Sequence, residues 1–297
     1  MAHSTIGLRT RPALHLAPVS ILLAGALVLL PASAHGQQSV TGSSATDSSH
    51  HRLPLFTRSD PLIIGAFMVG AAAIGPFDSN IAKAIREPSA QNDRTASRAA
   101  SAFNFIGSKG VVIAGLATYG IGRLGHFEHV ADLGLHTTEA IFVSAGVTSI
   151  LKELAGRQRP GVAGTNDPDD FKLGGGFGRH ASSSFPSGHA TAAFATATLV
   201  TLETHHWKPS STWYVAPVMF GGATLVGVAR LYSNAHWASD VVMGAGVGTF
   251  TALKVYRYNH VTSRHNRVNR WLLTAVPTVS PDVNGGAMLG WSFVAPR

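Results

Sequence analysis

The sequence predicts a mainly α-helical bundle, and three observations carry that expectation. Charged residues occupy 13% of the 297 positions and hydrophobic ones 45%. An ordinary soluble domain carries about 25% charged residues, so most of this chain is buried, either in a dense helical core or in lipid. Apolar stretches of helical length recur from Pro61 to Tyr258. Pro76, Pro88, Pro160, Pro186 and Pro209 fall between those stretches, where helix punctuation belongs.

At the N-terminus, Arg9 and Arg11 precede an apolar run from Ala17 to Leu30, followed by Ala32-Ser33-Ala34. This is the pattern of a secretory signal peptide over residues 1–34, cut before His35, which predicts export. The competing reading is an uncleaved anchor, for which the run is short against the ~20 residues of a full span. Residues 35–58 are rich in Ser, Gln, Gly and Thr and read as a flexible lead. The helical pattern then predicts elements near 61–75, 78–86, 95–124, 130–155, 187–205, 212–229 and 236–257, together a domain over 59–258. A long loop, "GVAGTNDPDDFKLGGGFGRHASSSF", interrupts it at 161–185, and such loops inside compact domains are commonly functional. The last segment, 259–297, begins with a basic patch (Arg264, Arg267, Arg270). Its Asn284-Gly285 pair between alternating apolar runs predicts a C-terminal β-hairpin.

The absence of cysteine excludes disulfides, thiolate metal sites and a cysteine nucleophile. The net charge of +8, with 15 histidines in reserve, suits anionic partners such as phosphates or a lipid surface. Lysines and arginines are scattered and no basic helix alternates with aromatics, so nucleic acid is not an expected partner. No protein partner is predicted.

Three short stretches carry chemistry. In "KELAGRQRP", Lys152 and Arg159 lie seven apart and share one face if the helix continues that far, while Pro160 turns the chain away. In "PSGH", Ser187 is placed to cap the following helix, whose first N–H groups are unpaired and attract phosphate. Gly188 lets the backbone approach an oxyanion closely, and His189 stands beside it as proton donor or acceptor. In "ARLYSNAHWASD", Arg230 is a planar charged fork suited to phosphate oxygens. His236 and Asp240, four apart, meet if both lie on a helix, so that a carboxylate fixes the imidazole tautomer and frees the other nitrogen. Singly, each stretch also has a plain reading: a turn and cap, a structural ion pair, or a solvated helix end.

Together, Lys152, Arg159 and Pro160, then Pro186, Ser187, Gly188 and His189, then Arg230, His236 and Asp240 resemble the type 2 phosphatidic acid phosphatase / vanadium haloperoxidase superfamily. That family's pattern is K-x6-R-P, P-S-G-H and S-R-x5-H-x3-D, and one position departs from it, Ala229 replacing the serine before the last arginine. The resemblance implies a helical bundle and a phosphatase working through a phosphohistidine. His236 is the nucleophile, Asp240 its orienting partner and His189 the proton carrier. Lys152, Arg159, Ser187, Gly188 and Arg230 bind phosphate oxygens. It implies no metal and no cofactor; vanadate would enter only in the family's other branch, where an oxidant of halides holds it at the position of His236. A non-catalytic phosphate-binding module of the envelope is the reading outside enzymes. The substrate class spans phosphatidic acid, phosphatidylglycerol phosphate, undecaprenyl pyrophosphate, lipid A phosphate and small soluble phosphomonoesters.

Other polar residues read more plainly. His205 and His206 close an apolar helix; His126, His129 and His136 are surface or inter-helix groups; Trp237 is packing. His180, in the glycine-rich loop before "PSGH", is a candidate substrate contact. The stretch 212–229 has eighteen residues without a charge, which is marginal for a membrane span. With a cleaved signal the mature N-terminus lies outside, so six crossing helices would deliver Lys152 and Arg159 to the cytoplasm. Either the first helix does not cross or the whole domain is periplasmic; both versions face the periplasm, and the low charge content favours association with the membrane.

Overall fold

The computed structural model of the chain describes residues 54–162, 167–177, 182–262, 275–281 and 287–293. The predicted signal peptide, most of the predicted lead, His180, the arginines at 264–270 and the Asn284-Gly285 pair lie outside these residues.

Nine α-helices are present among the described residues: α1 (Asp60–Ile74), α2 (Asp78–Arg86), the single turn α3 (Pro88–Gln91), α4 (Arg94–Phe105), α5 (Val111–Leu124), α6 (Glu128–Ala155), α7 (Gly188–Trp207), α8 (Thr212–Tyr232) and α9 (Ala238–Arg257). A wide π-type turn, Ile106–Gly110, joins α4 to α5 without breaking the axis, so the single helix expected at 95–124 is one rod with a bulge. Asp93 caps it, its side chain accepting from Thr95 and Ala96 N–H. Two antiparallel strands, β1 (Ala275–Pro281) and β2 (Ala287–Phe293), pair Ala275 with Phe293 and Pro281 with Ala287, the hairpin that the alternating apolar runs predict.

The core is built of small residues. Ala193, Ala197, Ala223 and Ala245 pack with Phe67, Phe194 and Val226, while Ala140, Ala195 and Ala252 pack with Leu199 and Val255. Alanine at the contact lets helix axes approach closely, which explains why α7 reads "ATAAFATATLV". Where α9 passes the start of α7, a Cβ on Gly244 would sit 2.5 Å from the Ser187 carbonyl, so only glycine permits that approach. The Ser187 N–H also donates to the Asp240 carbonyl at 2.9 Å, tying the two helix starts together.

Large apolar side chains point outward along α1 (Leu62, Met68, Val69), α5 (Ile113, Leu116, Ile121, Leu124) and α8 (Trp213, Val218, Leu225). The helical segments Asp60–Arg86, Arg94–Leu124 and Pro209–Tyr232 are long and apolar enough to cross a membrane, yet only 17%, 22% and 33% of their most apolar windows are buried. The hydrophobicity of these helices is therefore directed away from the core, as a lipid-facing surface requires.

Candidate active site

Chain direction gathers the three motif blocks. Lys152 lies in the last turn of α6, His189 in the first turn of α7, Arg230 in the last turn of α8, and Asp240 in the first turn of α9. Helices that alternate in direction thus bring all of them to one end of the bundle.

The sequence spacing is realised differently from the helical expectation at both pairs. α6 ends at Ala155, capped by Gly156 at φ 58°, where a Cβ would lie 2.0 Å from the Lys172 carbonyl. Arg159 therefore sits on the following loop rather than one face below Lys152. The two meet at Ser183: Lys152 Nζ donates to its carbonyl at 2.6 Å, and Arg159 Nη2 approaches the same carbonyl at 3.4 Å and the hydroxyl at 3.3 Å. Likewise α9 starts at Ala238, so His236 precedes the helix that carries Asp240. His236 Nδ1 lies 3.7 Å from Asp240 Oδ2, beyond hydrogen-bond reach, and 2.8 Å from the Ser184 carbonyl. The expected Asp–His hydrogen bond is thus replaced by a backbone one. The reason is that the carboxylate is already engaged: Oδ2 accepts from the Trp237 N–H at 2.8 Å and from the Ser184 hydroxyl, and Oδ1 from Arg157.

A carbonyl can only accept, so Nδ1 of a neutral His236 carries the proton and Nε2 keeps its lone pair. The ring is 3% exposed. Burial, reinforced by the charges of Lys152 and Arg159, pushes the imidazole down to about 4 against the opposing pull of Asp240. Burial alone would raise the Asp240 carboxyl, but His236 and the Arg157 charge hold it below its usual range.

Arg157 is one of the residues that sequence reading missed. It is 3% exposed, bonds Asp240 through Nη1 and Asp78 through Nη2 at 2.9 Å, and packs between the Phe171 and Trp237 rings. Asp78 in turn accepts from the Ser239 N–H at 3.0 Å. Its signal was present in "GRQRP", two positions before Arg159, but an arginine there reads as one more surface cation until its two carboxylates are seen. Trp237 is packing as expected, 2% exposed with Nε1 donating to the Gln158 carbonyl at 2.8 Å.

Ser187 is fully buried and caps α7 through the Ala190 N–H at 3.5 Å. A Cβ on Gly188 would meet nothing closer than 3.8 Å, the nearest atoms including Lys152 Cε, so packing does not demand glycine there. Burial, followed by the charges of Arg230, His236, Lys152 and Arg159, pushes His189 down to about 3, and burial with Arg159 lowers Lys152 to about 8. These mutual repulsions mark a converging set of cations. Arg230 is seated by Asn104 Oδ1 at 2.8 Å, and its Nε is buried without a hydrogen-bond partner among the described residues. A separate cleft of about 660 Å³ is lined by Met68, Ala72, Phe171, Phe185 and Met243 and touches Arg157 and Ser239, but none of Lys152, Arg159, His189, Arg230 or His236.

A cluster of cations, a helix start and an imidazole with an unprotonated nitrogen is suited to an oxyanion such as phosphate. Comparison with known proteins agrees. Residues 134–264 match the pattern of the PAP2 superfamily. A 68-residue stretch is 46% identical to the lipid A 1-phosphatase of Porphyromonas gingivalis; it covers 23% of this chain and 14% of that protein, so the chain spans only a small part of that relative's length. A crystal structure described as the first transmembrane PAP2 type phosphatidylglycerolphosphate phosphatase, from Bacillus subtilis, has a TM-score of 0.54 and 21% identity over 70% of this chain and 99% of that one, a likeness of fold. The segment that carries these residues, 134–264, is therefore similar to the PAP2 superfamily.

Proposed function

We propose that the chain is a membrane-associated phosphatase that removes a terminal phosphate from a lipid phosphate or pyrophosphate through a phosphohistidine at His236. The observation that carries this reading is the anchoring of His236: Nδ1–H is committed to the Ser184 carbonyl at 2.8 Å and the buried ring is held neutral above about pH 4, which leaves Nε2 as a nucleophile.

Nε2 attacks phosphorus in line with the leaving oxygen. The P–O bond breaks as His189 passes its proton to that oxygen, giving a free alcohol or a shorter phosphate. His189, now neutral, takes a proton from water; the resulting hydroxide attacks phosphorus, the P–N bond breaks, and inorganic phosphate leaves with His236 neutral again. Lys152, Arg159, Arg230, the Gly188 N–H and Ser187 hold the three non-bridging oxygens, whose charge needs stabilising in the transition state. The unpartnered Nε of Arg230 is a donor suited to one of them. The low proton affinity of His189 comes from burial and the positive charges of Arg230, Lys152 and Arg159. A phosphate dianion between them reverses that field and lets His189 hold the proton it must donate. The outward apolar faces of α1, α5 and α8 favour a substrate drawn from the membrane over a soluble one.

The test is phosphate release by the full chain in detergent, with a chelator present, from phosphatidic acid, an isoprenoid pyrophosphate, lipid A and a water-soluble phosphomonoester. Chelator-resistant release that favours a lipid and is absent in His236→Ala is expected. Release that persists in His236→Ala would overturn the mechanism, and preference for the soluble ester would overturn the substrate class.

A further inference from the structure

At the other end of the bundle, α6, α7 and the turn after α9 bring together three side chains that the phosphate chemistry does not use. His136 Nδ1 lies 2.7 Å and His260 Nε2 2.8 Å from the same oxygen, Glu203 Oε1. All three ligand-capable atoms lie within 4.8 Å of one another. Glu203 is fully buried, and its second oxygen, Oε2, is buried with no hydrogen-bond partner among the described residues. A buried carboxylate oxygen without a donor is costly, and a cation is what such an atom accepts. His136 lies 16 residues before Lys152 on α6 and Glu203 lies 14 after His189 on α7, which places the cluster more than about 20 Å from the phosphate pocket at 1.5 Å per residue.

We propose that His136, Glu203 and His260 bind a divalent transition-metal ion, Zn2+ by donor preference, as a clasp across α6, α7 and the end of α9. Two imidazole nitrogens and one carboxylate form a donor set typical of zinc, with a fourth position left for water. Asp132, one turn before His136 on the same helix face, adds a second carboxylate whose charge is felt by His136, Glu203 and His260. Glu139 adds a further negative charge felt by His136, so the surroundings favour a cation. Ligand bonds of about 2.0–2.2 Å require the nitrogens to move roughly 0.6 Å away from Oε1, a change within the reach of side-chain rotation. His136 and His260 then give up their hydrogen bonds to Glu203 and present lone pairs to the ion. The role is structural: bound metal stabilises the folded state and takes no part in phosphate hydrolysis at the distant pocket.

The test is a calorimetric Zn2+ titration of the tag-free full chain in detergent, after chelator treatment and dialysis, with a melting curve beside each sample. One ion per chain and a higher Tm with Zn2+ are expected in the wild type and in His236→Ala. In Glu203→Gln and in His260→Ala affinity is expected to fall by roughly tenfold or more, and the Tm increment to vanish. His260 is a partly exposed ring past the end of α9, so its variant retains the fold even if Glu203→Gln does not, and its chelator-treated melting curve verifies this. No binding by the wild type, or equal affinity and stoichiometry in a folded His260→Ala, would overturn the site and assign any uptake to other histidines.

Discussion

The two ends of the bundle each bury a carboxylate beside two histidines, and they spend it in opposite ways. At the phosphate end, both oxygens of Asp240 are engaged by Arg157, Ser184 and the Trp237 N–H, and the nearest histidine bonds a backbone carbonyl instead. That leaves His236 and His189 both under the charges of Lys152 and Arg159, as the proposed proton and bond exchange requires. At the far end, one oxygen of Glu203 takes both imidazoles while the other has no partner among the described residues. Buried His–carboxylate clusters therefore do not share one role. What decides is whether a ring bonds the backbone and keeps its second nitrogen free of the carboxylate, or whether every ring is drawn to a single anion.

The contrast breaks most sharply at the proposed nucleophile. His236→Ala is expected to lose about 10³-fold or more of phosphate release, measured under single-turnover conditions, while Zn2+ affinity at the far end stays unchanged. Removing the support is expected to cost stability rather than chemistry. Arg157→Ala strands Asp78 and Asp240 as buried, uncompensated carboxylates, a loss of about 3–5 kcal/mol. Denaturation of the detergent-solubilised protein reads it, and an unchanged midpoint would deny Arg157 its bridging role. A smaller effect is expected at Asn104→Ala, which removes the acceptor that seats Arg230. A hydrogen bond to a charged group is worth ~1.5–3 kcal/mol, so kcat/KM should fall by about tenfold or somewhat more, with the melting temperature retained.

The pH profile sharpens the division of labour between the two catalytic-end histidines. His236 must be neutral to attack, and its lowered value of about 4 puts the acid limb of kcat near that pH, kcat rising as pH increases through it. His189 must be protonated to donate. In the free protein it is pushed down to about 3, whereas bound phosphate raises it, so the basic limb of kcat lies at higher pH than that of kcat/KM. Coincident basic limbs would remove His189 as the acid. The smallest expected effect closes the series: Glu203→Gln, assayed well below its melting temperature, keeps hydrolysis within about threefold of wild type, since it alters no group in contact with phosphate.

Much of this was legible in the sequence. Apolar length and proline spacing located the long helices to within a few residues, and the structure brings the residues of the three motif blocks to one end of the bundle. What the spacing did not show was how the pairs are held. Lys152 with Arg159 and His236 with Asp240 look like helix-face pairs, yet α6 stops at Gly156 and α9 begins after His236, so loops do the positioning. Arg157, Asp78 and Asn104 escaped notice because a long-range ion pair or seat leaves no local period. The far cluster escaped for the same reason: His136, Glu203 and His260 come from three separate elements, and none follows a ligand spacing in sequence.

The most direct test of the phosphohistidine is a rapid acid-free quench of the full chain during turnover of a substrate labelled at its terminal phosphate. A protein-bound phosphate that is stable in base, lost in acid, mapped to His236 and missing from His236→Ala is the predicted result. Undiminished turnover in His236→Ala, with no labelled protein at any time point, would contradict it.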